Sequence, residues 1–416
     1  MEGGSGSERR RLLVLGAGSG QLGLLEAAQA RNLHVIAVDR DPAAPGFPYA
    51  DRRAIVSVED EPAIDRLAAA ERVHGVIAPG IDFPVAIAAR LAERQNLAHP
   101  LTPAVAQLAT SKLRQRERLR EAGVPHTPFR VVGTVEDTEA AAAELGLPCV
   151  VKPPDRQGQR GLSIAEDAAG AAPAFELALA AARGNVVLVE RLVTGRELTV
   201  NAFSVRGEFF PLTVTDRVVA EPPAFGVALA HVWPSELPAG DVDDAIELAR
   251  AAAAALGILD GPTYTQVLVG PEGPVVGELA ARLGGGHDAE LCLAALGVDL
   301  NALAIASALG DEIARSAVVP GGDGGAGGAC IHFLVAPEGT LADVAGVDDA
   351  ASGDGVVWVR IYREPGAELG PLRHGSDRAG AVLAVGRSRA EAIAHSERAA
   401  GRVRFRLVDA HAPVEL

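Results

Sequence analysis

The chain has little cysteine, and the three it has, Cys149, Cys292 and Cys330, are odd in number and far apart. They offer neither a disulfide framework nor a metal-ligand spacing, and they fit a reducing, cytoplasmic setting. No apolar run reaches the length of about 18 residues that a membrane span needs, so no membrane association is expected. Basic residues are outnumbered: 38 Lys and Arg against 54 Asp and Glu give a formal net charge of −16. A nucleic-acid partner would want a basic face, so none is expected. A phosphate ligand is not excluded, because a few local lysines and arginines suffice. Aromatics make up 4% of a chain rich in alanine, which follows genomic composition rather than function. No His/Cys cluster with metal spacing stands out, nor a Ser–His–Asp or Cys–His order of the hydrolase kind.

What is present is enough for roughly two to three domains: 416 residues, 48% of them hydrophobic. Residues 1–10 are Gly/Ser-rich and polar, and are expected as a disordered tail rather than a secretory signal. Strand pattern Arg11–Leu15, a glycine-rich turn, helix Leu22–Ala30, strands 33–38 and 73–78 and helix Phe83–Arg94 alternate. Residues 11–108 are therefore predicted to form a doubly wound parallel sheet covered on both faces. A charged helix from Thr110 stops at Gly123-Val124-Pro125. Strands Phe129–Val132, Cys149–Lys152, 186–190, 197–205 and 208–214 follow, with helices 136–145, 243–256, Asp288–Leu296 and 300–309; this middle region reads as α+β. Residues 319–328 form a glycine linker. Beyond it, strands 329–335, Val356–Ile361 and 380–385 with helix 389–401 predict a small C-terminal α/β cap over 329–416. There is no internal repeat.

The motifs that carry chemistry are mostly in the middle region. The strand-like run 263–269 and the stretch 275–287, joined at Gly270-Pro271-Glu272-Gly273, read as a hairpin. Glu278 on its second strand suits a Mg²⁺ ligand. Arg282, four residues on, suits a clamp for carboxylate or phosphate. Gly284-Gly285-Gly286 lets a ligand approach the backbone closely. The plain alternative is a surface hairpin with one exposed ion pair. Lys152 ends a strand just before the loop Gly158–Gly161, whose N–H groups would form an anion nest. A lysine charge there is worth about 4 kcal/mol at 4 Å and an effective dielectric near 20. Arg156 and Arg160 add to it; the alternative is an exposed turn with a solvated lysine. Glu190 closes one strand and Gly195-Arg196-Glu197 opens the next, where backbone groups could read an adenine edge and Glu197 a ribose. Two ordinary surface glutamates are the competing reading. Gly18-x-Gly20-x-x-Gly23, with Asp39 downstream, imitates a dinucleotide fingerprint. The same glycines open many doubly wound sheets, and such a turn could also touch an anionic substrate.

The order of Lys112, Lys152, the Gly158–Gly161 loop, Glu190, Glu197 and Glu278…Arg282 resembles the ATP-grasp superfamily. Within it, the chain is similar to carboxylate–amine ligases related to L-amino acid ligases and to the large-subunit halves of carbamoyl-phosphate synthetase. The likeness spans nearly the whole chain, through segments 15–23, 38–51, 148–153, 234–238, 277–286 and 346–386, with Asp82 and Ser111-Lys112. It implies a two-lobed ATP-grasp domain over 109–318, the small lobe with its lid loop at 115–192 and the large lobe at 193–318. It implies that Lys112 and Lys152 hold ATP phosphates and that the loop with Gly158 and Gly161 closes over them. Glu190, Leu192 and Glu197 would take adenine and ribose. Glu278 and Gln266 would hold Mg²⁺, or Mn²⁺ in its place. Arg282, Gly285, Gly286, His287 and His231 would face the substrates, although each histidine reads equally as a packing residue. Two positions depart from the family pattern: Gln266 where an acid is usual, and Ala280 where asparagine is usual.

The implied reaction joins a carboxylic acid or amino acid to an amine through an acyl phosphate, releasing ADP and phosphate, in a cytoplasmic homodimer whose partners are small molecules. Competing readings are a purine-pathway-like enzyme that carboxylates or formylates a ribonucleotide, a nicotinamide-dependent oxidoreductase using Gly18–Gly23 and Asp39, and a nucleotide-binding regulator without catalysis, favoured by Ala280.

Overall fold

Leu12–Leu15 are fully buried, and they lie at the centre of a parallel four-stranded sheet. The computed structural model describes residues 9–156, 158–221, 224, 226–321 and 325–408. Most of the expected tail, residues 322–324 of the expected linker and Gln157 fall outside them. Arg9 and Arg10, placed in the tail from the sequence, are held by ion pairs to Asp51 and Asp311, each at 2.7 Å.

The first sheet uses β1 (Arg11–Leu15), β2 (His34–Asp39), β3 (Arg52–Ile55) and β4 (Gly75–Ile77) in the order β3-β2-β1-β4, all parallel. Helices α1 (Leu22–Ala30), α2 (Glu61–Glu71), α3 (Phe83–Arg94) and α4 (Pro103–Ala109) accompany it. The small lobe follows: α5 (Lys112–Glu121), β5 (Phe129–Val132), α6 (Val135–Leu145), β6 (Cys149–Lys152), β7 (Ser163–Ala165), α7 (Ala168–Ala181) and β8 (Val187–Arg191). Its sheet runs β5-β8-β6-β7. Helices start where a side chain satisfies a free N–H: Asp60, Thr102, Ser111, Thr134 and Asp167 each accept from the residue three positions on.

The large lobe holds β9 (Arg196–Val205), β10 (Glu208–Val219), β11 (Ala228–Trp233), α8 (Ala239–Leu256), β12 (Gly261–Gly270), β13 (Gly273–Ala280), α9 (Asp288–Leu296) and α10 (Leu300–Ala308). The last segment adds β14 (Gly328–Leu334), β15 (Gly339–Ala345), α11 (Val347–Ala351), β16 (Val356–Ile361), β17 (Glu368–Leu369), β18 (Gly380–Gly386), α12 (Arg389–Ala400) and β19 (Arg404–Leu407). One eight-stranded sheet, β13-β12-β9-β10-β11-β14-β18-β16, crosses the boundary between them. The expected cap therefore lends three strands to the central sheet, and only β17-β15-β19 form a small sheet of their own. Strand alternation gives the central sheet two unlike faces. On β9, Leu198, Val200 and Ala202 join the apolar core with α8, while Thr199 and Asn201 are on the opposite, polar face.

Packing divides the molecule unevenly. Both faces of the first sheet belong to cores that run on into the large lobe, one through α8 and one through α9 and α10. The small lobe has a core of its own, from Val132 to Val189, which shares no residue with the other two. The fingerprint glycines serve this packing. A Cβ on Gly20 would come 3.0 Å from the Gly285 carbonyl oxygen, and one on Gly23 would strike the Glu290 carboxylate at 2.2 Å. Asp39 accepts the N–H groups of Ala17 and Asp41 at 2.9 and 3.0 Å, so its carboxylate shapes the loop.

Chain ends are also tied together. Arg360 of β16 pairs with Glu26 of α1 and with Glu290 of α9 at 2.7 Å, and it stacks 4.3 Å over Trp358. Burial alone would raise the Glu290 carboxyl, but His287 and Arg360 hold it at about 2, against an ordinary 4.5. A depressed carboxyl stabilises the fold above its unfolded value, and that contribution disappears as pH falls from about 4.5 through about 2. The loss is on the order of 3 kcal/mol. Urea titrations across this range are expected to show the decline, with a smaller acid slope in Arg360→Met. Equal slopes in the two proteins would contradict the assignment.

Candidate active site

A cleft of about 450 Å³ opens where the first sheet, both lobes and the last segment meet. Its wall includes eight cationic residues, Arg40, Lys112, Arg156, Arg160, Arg183, Arg217, Arg282 and Arg378, against the acids Asp39, Glu59, Asp82, Asp155 and Glu278. A strongly acidic protein thus carries a locally cationic cavity, as an anionic ligand requires.

The hairpin β12–β13 places Gln266 directly opposite Glu278. Glu278 is not paired with Arg282, as the surface-hairpin reading would have it. Lys112 Nζ donates to Glu278 Oε1 at 2.8 Å and to the Arg156 carbonyl at 2.7 Å. Burial alone would raise the Glu278 carboxyl, yet Lys112, Lys152 and Arg282 together hold it at about 2. Arg282 Nε donates to Asp82 at 2.7 Å, joining the large lobe to the first domain.

Lys152 does not line the cleft; its Nζ is 2.6 Å from Glu190. Glu190, 3% exposed, also takes Arg116 Nε at 3.0 Å, and Arg116 is 1% exposed. Burial would raise the Glu190 carboxyl; Arg116 and Lys152 keep it ionised below its ordinary value. Burial pushes the Lys152 amine down, and Arg116 and Lys112 add to the effect. The Glu190 side chain, expected at adenine, is therefore the centre of a buried three-charge cluster. Leu192 is half-buried just past the end of β8, outside the cleft wall. Glu197, expected at ribose, is held by Arg217 and by the Gln266 amide. Gln266 is thus hydrogen-bonded to β9 while standing opposite Glu278 in the β12–β13 register.

The loop after β6 reaches across the opening. Gly158, Gln159 and Gly161 have φ of 67°, 65° and 73°, and Gln159 Nε2 donates to the Gly226 carbonyl at 3.2 Å. At its other end the small lobe meets the first domain through Arg183, which pairs with Glu59 and lies 4.0 Å over the Phe83 ring.

The two histidines part company. His231 lines the cleft and is 2% exposed, with Nδ1 3.0 Å from Asp288 Oδ1. His287 does not line it. Its ring packs 5.0 Å from Trp358, edge on, and its nitrogens face Glu290 and the Tyr362 hydroxyl. His287 caps α9 at φ 61°, and that turn directs it into the cluster around Arg360 rather than toward a ligand. Gly285 and Gly286 line the cleft.

Sequence reasoning missed Arg116, Arg217, Asp288 and Arg378. Arg116 follows Lys112 by four residues on one helix, which sets both on one face. Arg217 continues the alternation of Thr213 and Thr215 along β10, a strand expected to stop at residue 214. Arg378 carried no local signal. It stacks 3.7 Å over Phe333, donates to the Gly375 carbonyl at 2.7 Å, and has no carboxylate partner among the described residues.

Residues 111–201 match the family model for the ATP-binding domain of the carbamoyl-phosphate synthase L chain, and 332–408 match L-amino acid ligase C-terminal domain 2. The chain is 30% identical over 389 residues to "Uncharacterized protein y4rH" of Sinorhizobium fredii, covering 90% of this chain and 78% of that one. It is 32% identical over 260 residues to the formate-dependent phosphoribosylglycinamide formyltransferase of Burkholderia cenocepacia, covering 59% of this chain and 63% of that one. The L-amino acid ligase of Bacillus licheniformis has the same fold, with a TM-score of 0.82 at 21% identity over 96% of this chain and 99% of that one. The chain belongs to the ATP-grasp superfamily of ligases.

Proposed function

We propose that the protein is an ATP-dependent carboxylate–amine ligase. It phosphorylates the carboxylate of an amino acid or small acid, and an amine then displaces phosphate to leave an amide, with ADP and phosphate as co-products. The observation that carries this reading is the cluster at the cleft: Glu278, on a wall it shares with Lys112, Arg282 and Gly158, is held ionised by Lys112 and Arg282, with Lys152 adding its charge from outside the wall.

Phosphoryl transfer needs positioning and charge neutralisation more than covalent help. Lys112 would supply positive charge for the phosphates from the cleft wall, Lys152 would add its field from beside Glu190, and Arg282 would offer its fork to a substrate carboxylate or an oxyanion. A divalent ion fits here on donor chemistry: the carboxylate of Glu278 and the amide oxygen of Gln266, residues paired across the hairpin and both on the cleft wall, are hard oxygen donors, while Mg²⁺ would take its remaining ligands from water and nucleotide. That ion, Mg²⁺ or Mn²⁺, would neutralise phosphate charge. Ala280, opposite Tyr264 across the hairpin, supplies no ligand. The loop with Gly158 and Gly161 would exclude the water that hydrolyses acyl phosphates. The enzyme is read as a cytoplasmic homodimer.

A second reading, a ribonucleotide-carboxylating or -formylating enzyme, is favoured by Arg378 and Arg217, which leave a cationic corner suited to a phosphate. A phosphate-release screen of amino acids, singly and in pairs, separates the two. Release with two acids together that exceeds the sum of each alone is expected. Release with no amino acid, together with a raised melting temperature on adding a ribonucleotide, would favour the second reading. Among the described residues no single helix is long and apolar enough to cross a membrane.

A further inference from the structure

An amine substrate arrives mostly as ammonium at neutral pH, since amino groups of this kind titrate near pH 8. Ammonium has no lone pair, so a group in the cleft must take a proton before the carbon–nitrogen bond forms. The carboxylates of the wall have other engagements. Glu278 faces Lys112, Asp82 faces Arg282, and Asp39 accepts backbone N–H groups. Within the ligase reading above, we infer that Nε2 of His231, positioned by Asp288, takes the proton from the incoming amine.

The geometry is that of a buried dyad with one open nitrogen. His231 Nδ1 faces Asp288, and the two side chains are 2% and 1% exposed. His231 Nε2 is buried, belongs to a residue of the cleft wall, and has no partner among the described residues. Asp288 is a carboxylate: burial alone would raise it, but His231, Arg217 and the Gly286 N–H hold it at about 2. A carboxylate at Nδ1 fixes the proton there and leaves the Nε2 lone pair unused, on a residue of the cleft wall.

The surrounding chain makes room for this pair. A Cβ on Gly284 would lie 2.1 Å from Asp288 Oδ2, and one on Gly286 would lie 2.6 Å from His231 Cε1. Two of the three successive glycines are thus required by the dyad rather than by ligand approach. Phe333 packs edge-on against the imidazole, with centroids 5.6 Å apart. The charged and titratable groups at this end are Asp288 from α9, Arg217 from β10, Tyr264 from β12 and Arg378 ahead of β18. Arg217 is opposite His231 in the β10–β11 register. Two guanidiniums disfavour a retained ammonium, while Asp288 offsets the imidazolium.

The step balances. The ammonium gives one proton to Nε2, and the neutral nitrogen attacks the acyl-phosphate carbon. The carbon–nitrogen bond forms and the carbon–oxygen bond to phosphate breaks. The nitrogen's second proton leaves with the phosphate, and His231 returns the first to solvent.

Hydroxylamine tests this, because its nitrogen is already neutral near pH 7 and needs no base. The full chain is assayed with MgATP and each of the twenty amino acids, with hydroxylamine or a second amino acid as acceptor. His231→Gln is expected to lower amide formation about 10²-fold or more while hydroxamate formation stays within a few-fold. Its pH profile for amide formation should shift upward, toward the titration of the amine itself. Asp288→Asn is run in parallel, with melting curves, and should show the same split should the histidine variant fail to fold. Equal losses of hydroxamate and amide with an unshifted pH profile would reduce the dyad to a structural role, and wild-type amide formation in His231→Gln would overturn the proposal. If the wild type makes hydroxamate with no amino acid, the ligase reading itself falls, and the dyad's role with it.

Discussion

Replacing Glu278 by glutamine is expected to stop ATP turnover, lowering kcat by about 10³-fold or more, and to lower the melting temperature while leaving the protein folded. Loss of one well-placed electrostatic group in an active site costs about 10²–10³-fold, and here the same change also strips the negative charge from the proposed metal ligand. Glutamine keeps the shape and one oxygen but not the charge that faces Lys112, Lys152 and Arg282. The loss of the charge that Lys112 holds costs stability, but the fold should survive because Lys112 retains the Arg156 carbonyl as a partner and Glu278 is partly exposed. Coupled measurement of ADP release, beside a thermal melt, checks both halves. Near-normal turnover would contradict the assignment. Lys152→Ala is expected to abolish turnover as well, but it also strips Glu190 of a partner, so its loss mixes chemistry with folding.

Glu190→Ala carries the largest expected effect on stability, about 3–5 kcal/mol. Arg116 and Glu190 are almost wholly buried, and Lys152 reaches Glu190 from the neighbouring strand β6. Removing the carboxylate leaves two cations facing each other without a counter-ion. The Arg116 guanidinium then keeps only the Gly277 carbonyl, and its NH1 is already without a partner among the described residues. Replacing Arg116 by leucine should cost less, because Glu190 would still have Lys152. Urea unfolding of the two variants measures the difference. A Glu190→Ala protein as stable as the wild type would mean that the cluster contributes nothing to the fold.

Much of this architecture was readable from residue order. Helices Phe83–Arg94 and Asp288–Leu296 and strands Arg11–Leu15 and Cys149–Lys152 are where apolar periodicity and turn residues place them. Local signals suffice for such elements because each boundary is set by its own caps and glycines. The sheet order is another matter. That β11 pairs with β14 depends on contacts across some hundred residues, and the glycine run between them imitates a domain linker. Strands β3 and β7 are short and offered little pattern to read. In the cleft, spacing marked Glu278 and Arg282 and the family resemblance marked Lys112, yet neither could say which partner each would choose. Glu190 illustrates the limit: its place in the chain suggested a nucleotide contact, whereas burial among cations makes its carboxylate a structural hub. Gly284 and Gly286 show the reverse, since their reason is a pair of side chains that meet only in three dimensions.

The separate core of the small lobe has a mechanical corollary. Helix α5, which bears Lys112, is fastened to β13 by the Gln115 amide, whose nitrogen donates to the Leu279 carbonyl at 2.8 Å. Lys152 instead belongs to the small lobe's own packing. Arg183 with Glu59, and Gln159 with Gly226, are polar clasps on the rim. Unclasping them would bare no shared apolar interior, so the sheet that carries Lys152 could swing about the buried Arg116–Glu190 pair, which still ties it to α5. Entry and escape would then be governed by rim contacts that dissolved salt weakens, well away from the atoms that react.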